Sequence, residues 1–293
     1  MDHQTFLSSL STETRKALTL RPAGQGLWHL AGHVGAILLL GAAIAAGVPG
    51  WGALLPLLGV LIVFLFTLEH ECTHKTPFAS DALCDAVGAI TGALILNPFR
   101  WFRYFHLAHH RWTNRPGDPE LASPKPETRA EWLWHVSGIP LWIGSIRLIL
   151  RLALGRERPA FLPERARPRA EREARLLLAL YALVLLSLLW SPLALWLWLV
   201  PILLGQPFLR LYLLAEHGDC PQVVDMFDNT RTTFTNAVMR FIAWNMPYHV
   251  EHHVFPAVPF DKLPALHALI RDHLRVTAPG YVAFSRAYLA RRR

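Results

Sequence analysis

Two long stretches of this chain carry no charge at all, and they divide it. From Pro22 to Leu68, and again from Leu176 to Leu209, there is no Asp, Glu, Lys or Arg. A membrane-crossing helix needs about 20 apolar residues, so each stretch approaches or exceeds two crossings. Each is interrupted by a turn signal, Val48-Pro49-Gly50 in the first and Ser191-Pro192 in the second. The pattern predicts two transmembrane helical hairpins, and a helix apolar on every side is not a surface helix of a soluble domain. The first span is expected over about His29 to Val48, and the second over Trp51 to Leu68, ending directly at Glu69-His70. The second hairpin has only 34 charge-free residues. Its last helix is therefore expected to run past Arg210 to about Ala215, with that arginine snorkelling or lining a cavity.

Between the hairpins the pattern changes. Ala82 to Leu96 is apolar but short and contains Asp85, which predicts a segment dipping into or lying along the membrane. Phe99 to Phe105 mixes aromatic and basic residues, as an interfacial anchor does. Four prolines between Pro116 and Pro126 predict a loop. Trp132 to Leu154 reads as an amphipathic helix on a membrane surface. The expected fold is an all-α integral membrane protein. Four transmembrane helices form two hairpins, under a cytoplasmic helical cap. Its parts are a lead-in over 1–27, the first hairpin over 29–69, a cytoplasmic and interfacial segment over 70–175, the second hairpin over 176–215 and a cytoplasmic part over 216–293.

Composition agrees. The 293 residues are 53% hydrophobic and 17% charged, too apolar for an ordinary soluble domain. The net charge of +8 could indicate a nucleic-acid binder. The arginines flank membrane segments, however, and anionic headgroups are the better partner. Seven arginines lie between Arg156 and Arg175 against four glutamates, so the middle segment and both termini are expected on the cytoplasmic side. No secretory leader is expected, and Cys72, Cys84 and Cys220 show no zinc spacing and are read as thiols.

The chemistry lies in three histidine runs. These are His70-Glu71-Cys72-Thr73-His74, His106-Leu107-Ala108-His109-His110 and His249-Val250-Glu251-His252-His253. Residues three and four apart share a helix face, so each run presents two or three imidazoles together. Imidazole is a good ligand for iron, and eight are too many for one ordinary site, so two metals are the natural reading. His29 and His33 are also four apart but have no charged company and are read as structural. Glu69, Glu71 and Glu251 adjoin these histidines and Glu216 adjoins His217; all four are candidates to orient ligands, with Asn245 and Asp118 weaker ones. The stretch from Asn229 to Thr233 is read as capping a helix rather than binding a headgroup.

The three runs, in this order, resemble the three histidine boxes of the membrane fatty acid desaturases. His109-His110-Arg111-Trp112-Thr113-Asn114 followed by Asp118-Pro119-Glu120 adds to the likeness, as does Asn245-Met246-Pro247-Tyr248 before the third box. It extends from about Glu69 to Leu266. The resemblance implies a non-haem centre of two iron ions on the cytoplasmic face, with dioxygen as co-substrate. It also implies that His217, after the last span, is a ninth ligand beside His70, His74, His106, His109, His110, His249, His252 and His253. The implied reaction removes two neighbouring hydrogens from an aliphatic chain of a lipid or acyl substrate to leave a double bond. A hydroxylase of an alkyl chain or small amphiphile using the same site is the near alternative. A metal-binding or transport protein is the distant one, and the nearly unbroken apolarity of the first three spans speaks against an ion path. No haem-attachment motif, dinucleotide fingerprint or iron–sulfur cysteine set is present. Electrons are therefore expected from an external donor such as ferredoxin with its reductase, docking on the arginine-rich segment.

Overall fold

The computed structural model describes residues 1–21 and 23–293, and these are mostly helical. The lead-in forms two short helices, α1 (His3–Ser9) and α2 (Thr12–Thr19), capped by the side chains of Asp2 and Ser11. Then α3 (Gln25–Ala45) begins four residues before the expected span. It turns back through Gly47 and Gly50, both at positive φ, where glycine is tolerated without steric cost. Next, α4 (Leu54–Val63) and α5 (Leu65–His74) join as one apolar run from Trp51 to His74. The first two histidines are thus held on a helix that continues out of the second span.

A sharp change of direction follows. Helix α6 (Asp81–Leu94), capped by Ser80, meets α7 (Phe99–Trp112) at 102°. The break falls at Asn97-Pro98, where proline cannot continue the ladder. The expected amphipathic helix is likewise two, α8 (Arg129–Val136) and α9 (Ile139–Ala153), bent by 56° around Gly138.

The helix that enters the second hairpin begins before the charge-free run. Helix α10 (Arg167–Ser187) begins inside the charged segment. Its first turns bury Ala170 and Ala174 against Ile149, Leu152 and Leu162, while Glu171 and Arg175 pair at 3.2 Å and Glu173 is half-buried. A π-helical turn over Leu195–Leu199 then leads into α11 (Val200–His217). Among the described residues, three helices are long and apolar enough to cross a membrane: Gln25–Ala45, Trp51–His74 and Leu195–His217. The count rises to five if each bent pair is one span. Six of the 21 residues of α10 are charged, all of them between Arg167 and Arg175, which keeps it out of that set.

The remaining chain folds back over the ends of α5 and α11. Helix α12 (Met226–Asn229) leads to strand β1 (Thr232–Thr233). Then come α13 (Ala237–Ile242), α14 (His249–Val254), α15 (Leu263–Ile270), β2 (Thr277–Ala278) and α16 (Tyr281–Ala290). The two strands pair in parallel, Thr232 with Thr277 and Thr233 with Ala278. The main apolar core runs from Leu55 and Leu58 on α4 through Leu68 to Val250, Leu263 and Leu266.

Candidate metal centre

Four helix segments deliver nine histidines to one place. The chain carries His70 and His74 on α5, His106, His109 and His110 on α7, His217 at the end of α11, and His249, His252 and His253 on α14. They form two groups. His70, His74, His106, His110 and His252 bring one ring nitrogen each within 4.8 Å of one another, and His109, His217 and His253 do the same. His249 joins the second group, its Nε2 lying 3.2 Å from that of His217 and 3.1 Å from that of His253.

Helical geometry explains the division. With about 100° between successive residues, positions four apart point together and the residue between them turns away. On α7 the pair His106 and His110 faces the first group and His109 the second. On α14 the pair His249 and His253 faces the second group and His252 crosses to the first. Each of these two helices therefore serves both groups, while α5 serves only the first and α11 only the second.

The donor set fits a cation. His217 Nδ1 lies 3.1 Å from the carbonyl oxygen of Asn229, which can only accept, so in the neutral ring the proton sits on Nδ1. His109 Nδ1 is 3.0 Å from both oxygens of Asp118, which places its proton there in the same way. The two Nε2 atoms are then 3.2 Å apart with lone pair facing lone pair. For two neutral rings that arrangement is repulsive, and a proton or a metal ion shared between the two nitrogens relieves it. Nε2 atoms also face each other at 2.8 Å for His74 and His106 and at 3.1 Å for His110 and His252. Both ring nitrogens of buried His70 lack a hydrogen-bond partner among the described residues. Neighbouring imidazoles at a metal–nitrogen distance of about 2.1 Å and a right angle are about 3.0 Å apart, close to the spacing found. Burial pushes His249, His252 and His253 well below the ordinary imidazole range, keeping them neutral and their lone pairs available.

Around the histidines lies a layer of acceptors. Burial raises the Asp118 carboxyl, but its bonds from His109 and from the backbone N–H groups of Glu120 and Asn114 outweigh this and hold it below the usual carboxylate range. Glu216 Oε1 stands 3.4 Å from His249 Nδ1. Glu71 Oε1 stands 3.8 Å from His252 Nδ1, its other oxygen accepting from Thr76 Oγ1 at 2.7 Å and Phe260 N–H at 3.2 Å. Asn245, at positive φ, donates to the Phe260 carbonyl at 3.0 Å, while Glu71 accepts from the N–H of the same residue. Glu251 lies between ligand-bearing positions but faces Thr232 and His267 instead. Glu69 accepts from Asn97 Nδ2 at 2.9 Å, away from the clusters. His29 and His33 bond to the carbonyls of Phe241 and Leu61 and join neither group.

Sequence reasoning missed several of these partners. Thr113 Oγ1, 3.2 Å from His253 Nδ1, sits within a quoted motif but was given no role. Asn229 acts through its backbone carbonyl, which has no sequence signature. The run from Asn229 to Thr233 is almost wholly buried and supports the site: Asn229 Nδ2 donates to the Thr113 carbonyl at 3.2 Å and Arg231 donates to that of Ala215 at 2.6 Å.

Apolar helices ending in two buried histidine clusters define a helical membrane protein with a candidate metal centre. Its relatives say which. A model of the fatty acid desaturase family matches residues 46–285, and the chain belongs to that family. It is similar to a probable fatty acid desaturase of Sorghum bicolor, 25% identical over 268 residues, covering 82% of this chain and 68% of that protein. It is also similar to an sn-1 oleoyl-lipid 12-desaturase of Picosynechococcus sp., 22% identical over 76% of this chain and 70% of that protein. An endoplasmic reticulum omega-6 fatty acid desaturase of Brassica juncea is 28% identical over a shorter stretch, 33% of this chain and 25% of that protein. The chain is a lipid desaturase-type oxidoreductase of membranes, with histidine clusters compatible with a non-haem di-iron site.

Proposed function

We propose that this protein is a dioxygen-dependent desaturase that introduces a double bond into the aliphatic chain of a lipid or acyl substrate. One iron would be held by His70, His74, His106, His110 and His252, and a second by His109, His217, His249 and His253. The facing Nε2 atoms of His109 and His217, each with its proton committed to the opposite nitrogen, carry this reading. When bound and reduced, the irons would supply the means to take hydrogen from an unactivated C–H bond with dioxygen. The balance is –CH2–CH2– plus O2, two electrons and two protons, giving –CH=CH– and two waters.

The chain's own residues do the rest. Asp118 and the Asn229 carbonyl fix the tautomer and orientation of His109 and His217. Thr113 bonds the ring of His253, and Glu71 and Glu216 face His252 and His249. The apolar helices exclude water and can accommodate an alkyl chain beside the site. With α10 counted as a span from Leu176, four crossings put all three histidine runs and His217 on one side. The arginine cluster from Arg156 to Arg175 supports the assignment of that side, with both termini, to the cytoplasm. Arg165, Arg167 and Arg169 would offer an acidic ferredoxin a docking face.

The test is mass spectrometry of lipids and amphiphiles from cells expressing the chain with ferredoxin and its reductase, beside a His252→Ala control. A product lacking two hydrogens only with the intact histidine set is expected. A product gaining one oxygen would overturn desaturation in favour of hydroxylation.

A further inference from the structure

Arg210 is a cation without a counter-ion in the middle of an apolar helix. It pairs with no carboxylate among the described residues. Its Nη2 meets only the ring of His135, at 3.1 Å to Nε2 and 3.2 Å to Nδ1, and its Nε is buried without an acceptor. A charge held this way in a membrane helix is costly and is retained where it does something. Helix α8 and the start of α9 lie against it. One turn further into α11, the Gln206 side-chain nitrogen is buried without a partner, and so is Trp142 Nε1 on α9. Gly138 brings the two together. A Cβ at that position would lie 2.5 Å from Gln206 Cγ and 3.7 Å from Trp142 Nε1, so only glycine allows the approach.

The side-chain nitrogens left unpaired here all donate: a guanidinium N–H, an amide N–H and an indole N–H. Gln206 Oε1 is an acceptor in the same cluster, but a neutral amide oxygen cannot balance the guanidinium charge, and a buried donor left unpaired is costly. An anion both balances that charge and accepts from the donors. We infer that Arg210, Gln206 and Trp142 form a subsite for the oxyanion end of the substrate, a carboxylate or a phosphate, and this rests on the desaturase reading above. The geometry also says where the chemistry falls. Arg210 and His217 are seven residues apart on α11, about 10 Å along its axis. A substrate anchored at Arg210 would place a carbon several methylenes from its polar end at the histidine clusters, so bond position would be counted from that end.

Binding of hexadecanoate, hexadecyl phosphate and hexadecanol to the iron-loaded protein in detergent micelles tests this independently of turnover. The wild-type protein is expected to bind at least one of the anions about tenfold or more tightly than the alcohol. The better anion names the source, a free acid or a phosphate-bearing headgroup. Arg210→Gln should remove that preference and leave alcohol binding unchanged. If Arg210→Gln does not fold, Trp142→Phe, which deletes only the N–H, should weaken anion binding severalfold and spare the alcohol. Equal binding of anion and alcohol by the wild type, or undiminished discrimination in the folded variants, overturns the subsite. Anion discrimination without any desaturated product in cells would instead sink the desaturase reading and leave the subsite standing.

Discussion

Glu251 and His267 form a partly buried pair, the carboxylate of the one bonded to Nδ1 of the other. Glu251 is fully buried, and its second oxygen accepts from Thr232 Oγ1, whose own backbone belongs to β1. The pair ties α14 to α15 and to the strand, so this carboxylate holds the third box in place from behind. Glu251→Gln should lower stability by about 1–3 kcal/mol, the cost of weakening a buried hydrogen-bonded group. Bound iron per chain should stay near the wild-type value in the folded fraction. Thermal unfolding and metal analysis of one preparation check both. Loss of iron at unchanged stability would give Glu251 a direct part in the centre.

Asp118 has the opposite signature. Its two oxygens face His109 Nδ1, and backbone N–H groups of Asn114 and Glu120 fix the carboxylate at 2.7 and 2.9 Å. Asp118→Asn preserves the shape and removes the charge that sets the His109 tautomer. Such a change at a ligand's partner typically costs about 10–100-fold in metal affinity. The expected result is selective loss of iron from the group containing His109, seen as a fall towards half-occupancy in titrations with a competing chelator. The group containing His70 should keep its metal.

The two clusters show what a sequence can convey. Spacings of three and four made the histidine runs legible as shared helix faces, and the apolar stretches made their place beside the membrane legible too. The assignment of His252 to the first group and His249 to the second was not. It depends on how α14 crosses α7, a relation between residues 140 positions apart. Asn229 was invisible as a tautomer-setting group because a carbonyl oxygen belongs to every residue. The start of α10 was not legible either, because the charge-free run marks a span only from Leu176, whereas Arg167 to Arg175 is already helical, with a buried alanine edge at Ala170 and Ala174.

Glu173 on that edge gives a pH dependence. Burial pushes its carboxyl up to about 7 from the ordinary 4.5, although Arg100 N–H donates to it at 2.8 Å. A carboxyl whose folded value is raised binds its proton more tightly in the native state. The stability this contributes is complete below about 4.5 and is lost as pH rises through about 7. Glu173→Gln keeps an acceptor for Arg100 and cannot ionise. Melting temperatures measured across this range should fall for the wild type relative to the variant, with the gap widest above about pH 7. Parallel curves would show that Glu173 is not the group responsible.

A contact between two membrane helices sets how far apart the histidines are held. Helices α4 and α11 touch backbone to backbone at Gly59 and Gly205. A Cβ on Gly59 would lie 2.0 Å from the Pro201 carbonyl oxygen, and one on Gly205 would lie 2.3 Å from Gly59 C. Neither side can yield by rotating a side chain, because the obstruction is backbone. Gly205→Val must therefore separate the helices, at a cost of about 1–3 kcal/mol or more. The separation is carried along rigid helices to their ends, where the continuation of α4 bears His70 and His74 and α11 bears His217. Cluster one and cluster two would move apart. The variant should bind iron but lose the magnetic coupling between the two ions that closely spaced sites show, which Mössbauer spectroscopy of the iron-57 protein can read. Retention of the wild-type spectrum in a folded Gly205→Val protein would mean that the spacing is set by α7 and α14 alone.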